Sequence, residues 1–191
     1  MSILHIGGVG MSFKVTWKLH LLCFLIAYMF CLMFQNNILD LLVSLFLENK
    51  IINFIGNDYA NLMIFLIIIF IPITFVHEFL HGFTYRLFGG KVKYGFKGLY
   101  AYAQETSGIA LHRIKFLIVL LAPVTIISLV SVLILGSIGA IIFLLNLLGS
   151  IGDLLMAIYL CKSNENSYVV DRSYGFDIVD YAYGNNRSVD D

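Results

Sequence analysis

LMIFLIIIFIPITFVHEFLHGFTYRL, residues 62–87, is apolar for long enough to cross a bilayer, yet it carries His77, Glu78 and His81 near its far end. Two imidazoles and a carboxylate are expensive in hydrocarbon, so their presence there asks for a functional reason. On a helix, residues four apart share a face. His77 and His81 therefore offer nitrogens to one metal ion, while Glu78 stands to the side as a base. H-E-x-x-H is the pattern of a zinc peptidase. The competing reading is a hydrogen-bonded polar cluster that merely locks helices together.

Composition fits the membrane setting. The chain is 60% hydrophobic and 13% charged, with mean hydropathy +0.89, which predicts an integral membrane protein. A net charge of +0 holds nothing that points to nucleic acid. Cys23, Cys31 and Cys161 lack C-x-x-C spacing and read as small hydrophobes.

Four stretches are long and apolar enough to span: Trp17 to Phe34, Leu62 to Leu87, Ile114 to Leu135 and Ile138 to Leu160. Gly136-Ser137 punctuates the last two, predicting a tight antiparallel hairpin. The first reads as an uncleaved helix, because Gln35-Asn36-Asn37 follows it without a small-residue cleavage pattern. Residues 38–57, apolar but interrupted by Asp40, Glu48 and Lys50, read as an interfacial segment. The expected fold is an all-α membrane protein of about four transmembrane helices, with a small interfacial β-hairpin region between the second and third. Its expected parts are residues 1–61, a first helix with its interfacial segment; 62–161, a membrane core; and 162–191, a polar tail.

Arg86, Lys91, Lys93, Lys97, Arg113 and Lys115 cluster between the second and third spans. By the positive-inside rule this places that loop and both termini in the cytoplasm of a multi-pass cell-membrane protein. In the same loop Val92, Tyr94 and Phe96 alternate with Lys91, Lys93, Gly95 and Lys97, and Gly98 separates them from Leu99 to Ala103. That pattern predicts a β-hairpin at the cytoplasmic interface, whose edge can pair with an extended substrate. The plainer reading makes the tyrosines an aromatic belt and the lysines contacts for lipid headgroups. In the tail, Tyr168 to Val170 and Phe176 to Val179 suggest a second hairpin, and Gly184 to Asp191 reads as disordered.

A catalytic zinc needs a third protein ligand. Glu105 and His112 are available in the polar loop, but Asp153 is the strongest candidate, because it is the only charged residue of the fourth span. Asn146, Gly149, Ser150 and Asp153 fall on one helical face, and His77 and Asp153 lie nine and eight residues inside their spans, about 13 and 12 Å deep. Pro72 removes one helix hydrogen bond near the motif and favours a bend there.

The H-E-x-x-H helix, the basic loop, Leu121-Ala122-Pro123, the run Asn146 to Asp153, Val169-Val170-Asp171 and Gly175-Phe176 together resemble the zincin peptidases of the DUF3267 type, relatives of the site-2 protease (M50) metallopeptidases. The resemblance covers about residues 60–178. It implies Zn²⁺ held by His77, His81 and Asp153, and a zinc-bound water whose attack on a peptide bond Glu78 assists. Asn146 becomes a candidate oxyanion or substrate contact. The chain departs from the site-2 protease run N-x-x-P-x-x-x-L-D-G: Gly149 stands in place of Pro, and Leu154 rather than Gly follows Asp153. The implied partners are the lipid bilayer and a membrane or membrane-proximal protein substrate. The alternative function is a non-catalytic bundle, either a metal-binding or transport protein or an inactive peptidase-like scaffold.

Overall fold

The protein is described by a computed structural model over residues 9–45, 55–97 and 100–179. Gly98, residues 46–54 of the interfacial stretch and the end at Gly184 to Asp191 lie outside the described residues. In chain order the elements are β1 (Val9–Lys14), α1 (Trp17–Met33), α2 (Gln35–Val43), α3 (Asp58–Leu87), β2 (Val92–Lys97), β3 (Tyr100–Glu105), β4 (Ala110–His112), α4 (Arg113–Leu133), α5 (Ser137–Gly149), α6 (Ile151–Cys161), β5 (Tyr168–Arg172) and β6 (Gly175–Val179).

The helix that carries the motif is well delimited. Asn57 caps its start by accepting from Ala60 N at 3.2 Å, and Asp58 complements the positive end of the helix. The helix then runs unbroken through Pro72 to Leu87 and stops where Gly89, at φ +87°, takes the left-handed conformation that returns its N–H to Arg86 O. Both α3 and α4 are long and apolar enough to cross a membrane, and two bent pairs, α1 with α2 and α5 with α6, raise the count to four if each pair is one span. None of the residues of α1 is buried, although Trp17, Phe24, Met29 and Met33 are all apolar, which suits a helix facing lipid. The α4–α5 turn is tight, as Gly136-Ser137 predicts. Gly136 sits at φ +87°, and a Cβ on Gly139 would lie 1.8 Å from Ile134 O.

Two expectations are corrected. The fourth span is not one helix: α5 and α6 meet at 51° around Ser150, whose hydroxyl donates to Asn146 O at 2.7 Å. Nor is the fold all-α. It is a mixed α/β structure in which, among the described residues, six strands join the helices, in a four-stranded antiparallel sheet ordered β1-β6-β5-β4 and a two-stranded sheet β2-β3. The first sheet pairs opposite ends of the chain, with Phe13 opposite Phe176 and Ala110 opposite Val170. Pairing at such separation leaves no trace in local periodicity, so the sequence shows the β5–β6 hairpin but not the pairing of β1 and β4 with it.

This sheet covers one end of the helices. Phe116, Val119 and Leu120 of α4, Ala157 and Leu160 of α6, and Tyr85 of α3 pack with Val169, Phe176 and Ile178 in one buried cluster. Gly175 lets β1 and β6 approach closely: at φ +137°, a Cβ there would fall 2.1 Å from Phe13 O. A smaller cluster of Leu45, Phe65 and Ile141 closes the other end.

The second sheet does not remain at the end of α3. It folds back along the helix, with Tyr94 filling the space where a Gly82 Cβ would sit and the Phe96 ring 5.9 Å from that of Phe75. Phe75 lies twelve residues before Leu87, so the hairpin reaches about 18 Å back along the axis, past the level of His77. The apolar face of β2, Val92-Tyr94-Phe96, explains this docking, because α3 offers an apolar flank.

Phe176 is 1% exposed and packs between Phe13 and Phe116, with ring centroids at 5.3 and 5.2 Å. Phe176→Ala should therefore cost about 3–5 kcal/mol. Denaturant or thermal unfolding in detergent measures this, and a cost under about 1 kcal/mol would mean that the clasp between chain ends is not part of the core.

Candidate metal centre

The α3 helix presents His77 and His81 one turn apart, and the break at Ser150 swings Asp153 into the first turn of α6, where a carboxylate is favoured by the helix dipole. The three converge. His77 Nε2 donates to Asp153 Oδ2 at 2.9 Å, His81 Nε2 lies 3.4 Å from the same oxygen, and the two Nε2 atoms are 3.1 Å apart. Among the described residues these three form the group of histidine, cysteine and acidic side chains able to hold a metal ion.

Their arrangement fits zinc. Bonds of about 2.0–2.1 Å around a tetrahedral ion put neighbouring donors about 3.4 Å apart, close to the three separations observed. His81 Nδ1–H donates to Val119 O at 2.9 Å, which fixes the tautomer and leaves Nε2 with its lone pair toward the shared point. A backbone carbonyl in this outer position is the usual partner of a ligating histidine. Sequence reasoning had no means of finding Val119, because it reaches the site from α4.

A cavity of about 610 Å³ opens on these donors. Glu78 lines it beside His77, His81 and Asp153, and its carboxylate lies against the backbone N–H of Ala103 on β3. Two residues the sequence did not single out as site members also reach it: Tyr85, one turn beyond His81, and Asp171 of β5.

The other loop candidates are engaged elsewhere. The Glu105 carboxylate accepts from Lys91 N at 2.9 Å, Ser107 N at 2.7 Å, Gly108 N at 2.8 Å and the Ser107 hydroxyl. Burial pushes this carboxyl up, but those donors outweigh it and hold the group below its ordinary range, so it stays an ionised turn cap. His112 caps α4, its Nδ1 accepting from Ile114 N at 3.3 Å. Asn146 lines the cavity, and its amide nitrogen donates to Val124 O at 3.3 Å and Ser128 Oγ at 3.2 Å. An oxyanion needs a donor, and both of these point into α4. Among the described residues the buried Oδ1 has no hydrogen-bond partner, so what Asn146 has unused is an acceptor.

The DUF3267 family, described as "Putative zincin peptidase", matches residues 70–168, which include His77, Glu78, His81 and Asp153. None of the curated proteins and none of the solved structures matches the chain.

Two predictions follow from the geometry. Asp153→Ala should lower bound zinc at least about tenfold in metal analysis of detergent-purified protein, while Glu105→Ala and His112→Ala leave it within about twofold. Retention of zinc by the Asp153 variant would exclude that carboxylate. The second concerns Asp171, which burial pushes up to about 6 from an ordinary 3.8. A raised carboxyl binds its proton more tightly folded than unfolded, so its stability contribution is full below about pH 4 and is lost as pH rises through 6. The melting temperature of the wild type relative to Asp171→Asn should accordingly fall between pH 4.5 and 7.5; a rise would show that donors outweigh burial at this site.

Proposed function

The chain belongs to the DUF3267 family of zincin peptidases, and on that premise we propose that it is a membrane-embedded zinc metallopeptidase in which Glu78 is the general base. The observation that carries this reading is the meeting of two histidines and a distant aspartate beside Glu78 in one cavity. A structural or transport site has no use for a base next to its ligands.

When bound, zinc supplies a Lewis acid that polarises a carbonyl and makes water a nucleophile near neutral pH. His77, His81 and Asp153 would hold it. Glu78 takes the proton of the attacking water and passes it to the leaving nitrogen, a transfer that requires the carboxylate to stand beside the ligands without being one. β3 supplies the means to hold a peptide extended: Ala101 to Gln104 line the cavity, and a strand edge binds an unfolded segment by main-chain hydrogen bonds.

The same reading orders the chain in the bilayer. β1 pairs with β6, so both ends of the described chain meet on one side, together with Arg86, Lys91, Lys93, Arg113 and Lys115. That side is cytoplasmic by the positive-inside rule. The donors lie below it, and the β2–β3 hairpin follows α3 inward to their level. The substrate is then a membrane or membrane-proximal protein with a segment unwound at that depth.

Glu78→Gln tests the proposal. Zinc content should stay within about twofold of wild type while cleavage of a peptide library or an unfolded membrane substrate falls at least about 10²-fold. Equal turnover by the variant would refute the assigned role, and zinc binding with no cleavage by the wild type would favour the metal-binding scaffold.

A further inference from the structure

The register of the β2–β3 hairpin decides which of its main-chain groups face the metal helix. Thr106 N donates to Lys91 O at 2.7 Å, and antiparallel alternation then turns the main-chain groups of Gln104 and Tyr102 toward β2, and those of Glu105, Ala103 and Ala101 outward. Two of these outward groups are engaged. The Ala103 N–H faces Glu78, and the Glu105 N–H donates to Asp171 Oδ2 at 2.8 Å. Asp171 belongs to the other sheet, so this bond joins the two sheets across the cavity.

Tyr85 of α3, one turn past His81, lines the same cavity as Asp171. The Asp171 side chain thus ties β3, the strand whose edge lies on the cavity, to β5, anchored in the large sheet. The hairpin also meets α3 through the Tyr94 ring over Gly82, the Arg86 guanidinium 5.9 Å from the centre of that ring, and an edge contact between Phe96 and Phe75.

From this geometry we infer that Asp171 is a positioning residue for substrate: it pins the root of β3 so that the edge at Ala101 and Ala103 stands opposite Glu78 and the metal donors. The inference rests on the peptidase reading above for the identity of what binds the edge. It assigns Asp171 no contact with the reacting atoms. Its effect is on how well an extended peptide is received, because a peptide that must first order the hairpin loses that ordering entropy from its binding.

The test compares wild type with Asp171→Ala and Asp171→Asn in detergent. Amide hydrogen exchange reads the positioning, and steady-state peptide cleavage with zinc analysis reads its consequence. In Asp171→Ala the Glu105 amide should exchange on the order of tenfold faster, while amides of α3 around His81 are unchanged, and KM should rise on the order of tenfold with kcat and zinc within about twofold. Asp171→Asn keeps a carbonyl oxygen for the Glu105 N–H and should recover most of both losses. Unchanged exchange at Glu105 in the alanine variant overturns the inference. So does faster exchange accompanied by a parallel fall of zinc and kcat at constant KM, the signature of a general brace. Should Asp171→Ala fail to fold, Asp171→Ser serves in its place with a smaller increase at Glu105, and no increase overturns the inference. Absence of cleavage by the wild type would sink the peptidase reading and the substrate role with it, while the exchange result still shows whether Asp171 holds β3.

Discussion

Polar groups placed among apolar helices must satisfy one another, and that requirement organises this protein around His77, His81 and Asp153. Each would be costly alone on a helix as apolar as α3 or α6. Together they share contacts of 2.9–3.4 Å, close to the separation of about 3.4 Å that a tetrahedral zinc ion imposes on its ligands. Several other features serve this meeting. The break at Ser150 turns α6 so that Asp153 sits in its first turn, and Val119 offers its carbonyl to the far nitrogen of His81. Removing Asp153 leaves two imidazoles facing each other without their shared carboxylate, which costs more than the interaction itself gains.

The strands give the site its walls. A four-stranded sheet that brings together both ends of the described chain caps the helices, and a two-stranded hairpin lies along α3 beside Glu78. The cavity lies between them, bounded by donors on the helical side and by a strand edge on the other. Asp171 spans that gap from the large sheet to the small one. The large sheet thereby becomes more than a lid: its position reaches the hairpin through the Asp171 carboxylate.

Much of the candidate site was legible because its signals are local. H-E-x-x-H needs only one turn of helix to place two nitrogens together, and a lone Asp153 in an apolar stretch is conspicuous by its cost. Helix placement was legible for the same reason, since apolar length marks α3 and α4 directly. What escaped depends on contacts between distant residues. The pairing of Phe13 with Phe176, the reach of Val119 to His81 and the bond from Glu105 to Asp171 each link positions tens of residues apart or more, and no periodicity records them. The bend at Ser150 also escaped: apolar residues run on through Gly149 to Gly152, so composition reads as one span where the backbone makes two helices. Asn146 shows a different gap. Its place on the cavity wall followed from spacing, but which atoms it has free depends on Val124 and Ser128 of α4.

X-ray absorption at the zinc edge of the purified, metal-loaded protein tests the central claim most directly. The account predicts two imidazole nitrogens and oxygen at about 2.0–2.2 Å with no sulfur. A sulfur shell at about 2.3 Å, such as Cys23 on the cavity wall would supply, or a shell without imidazole scattering, would contradict it.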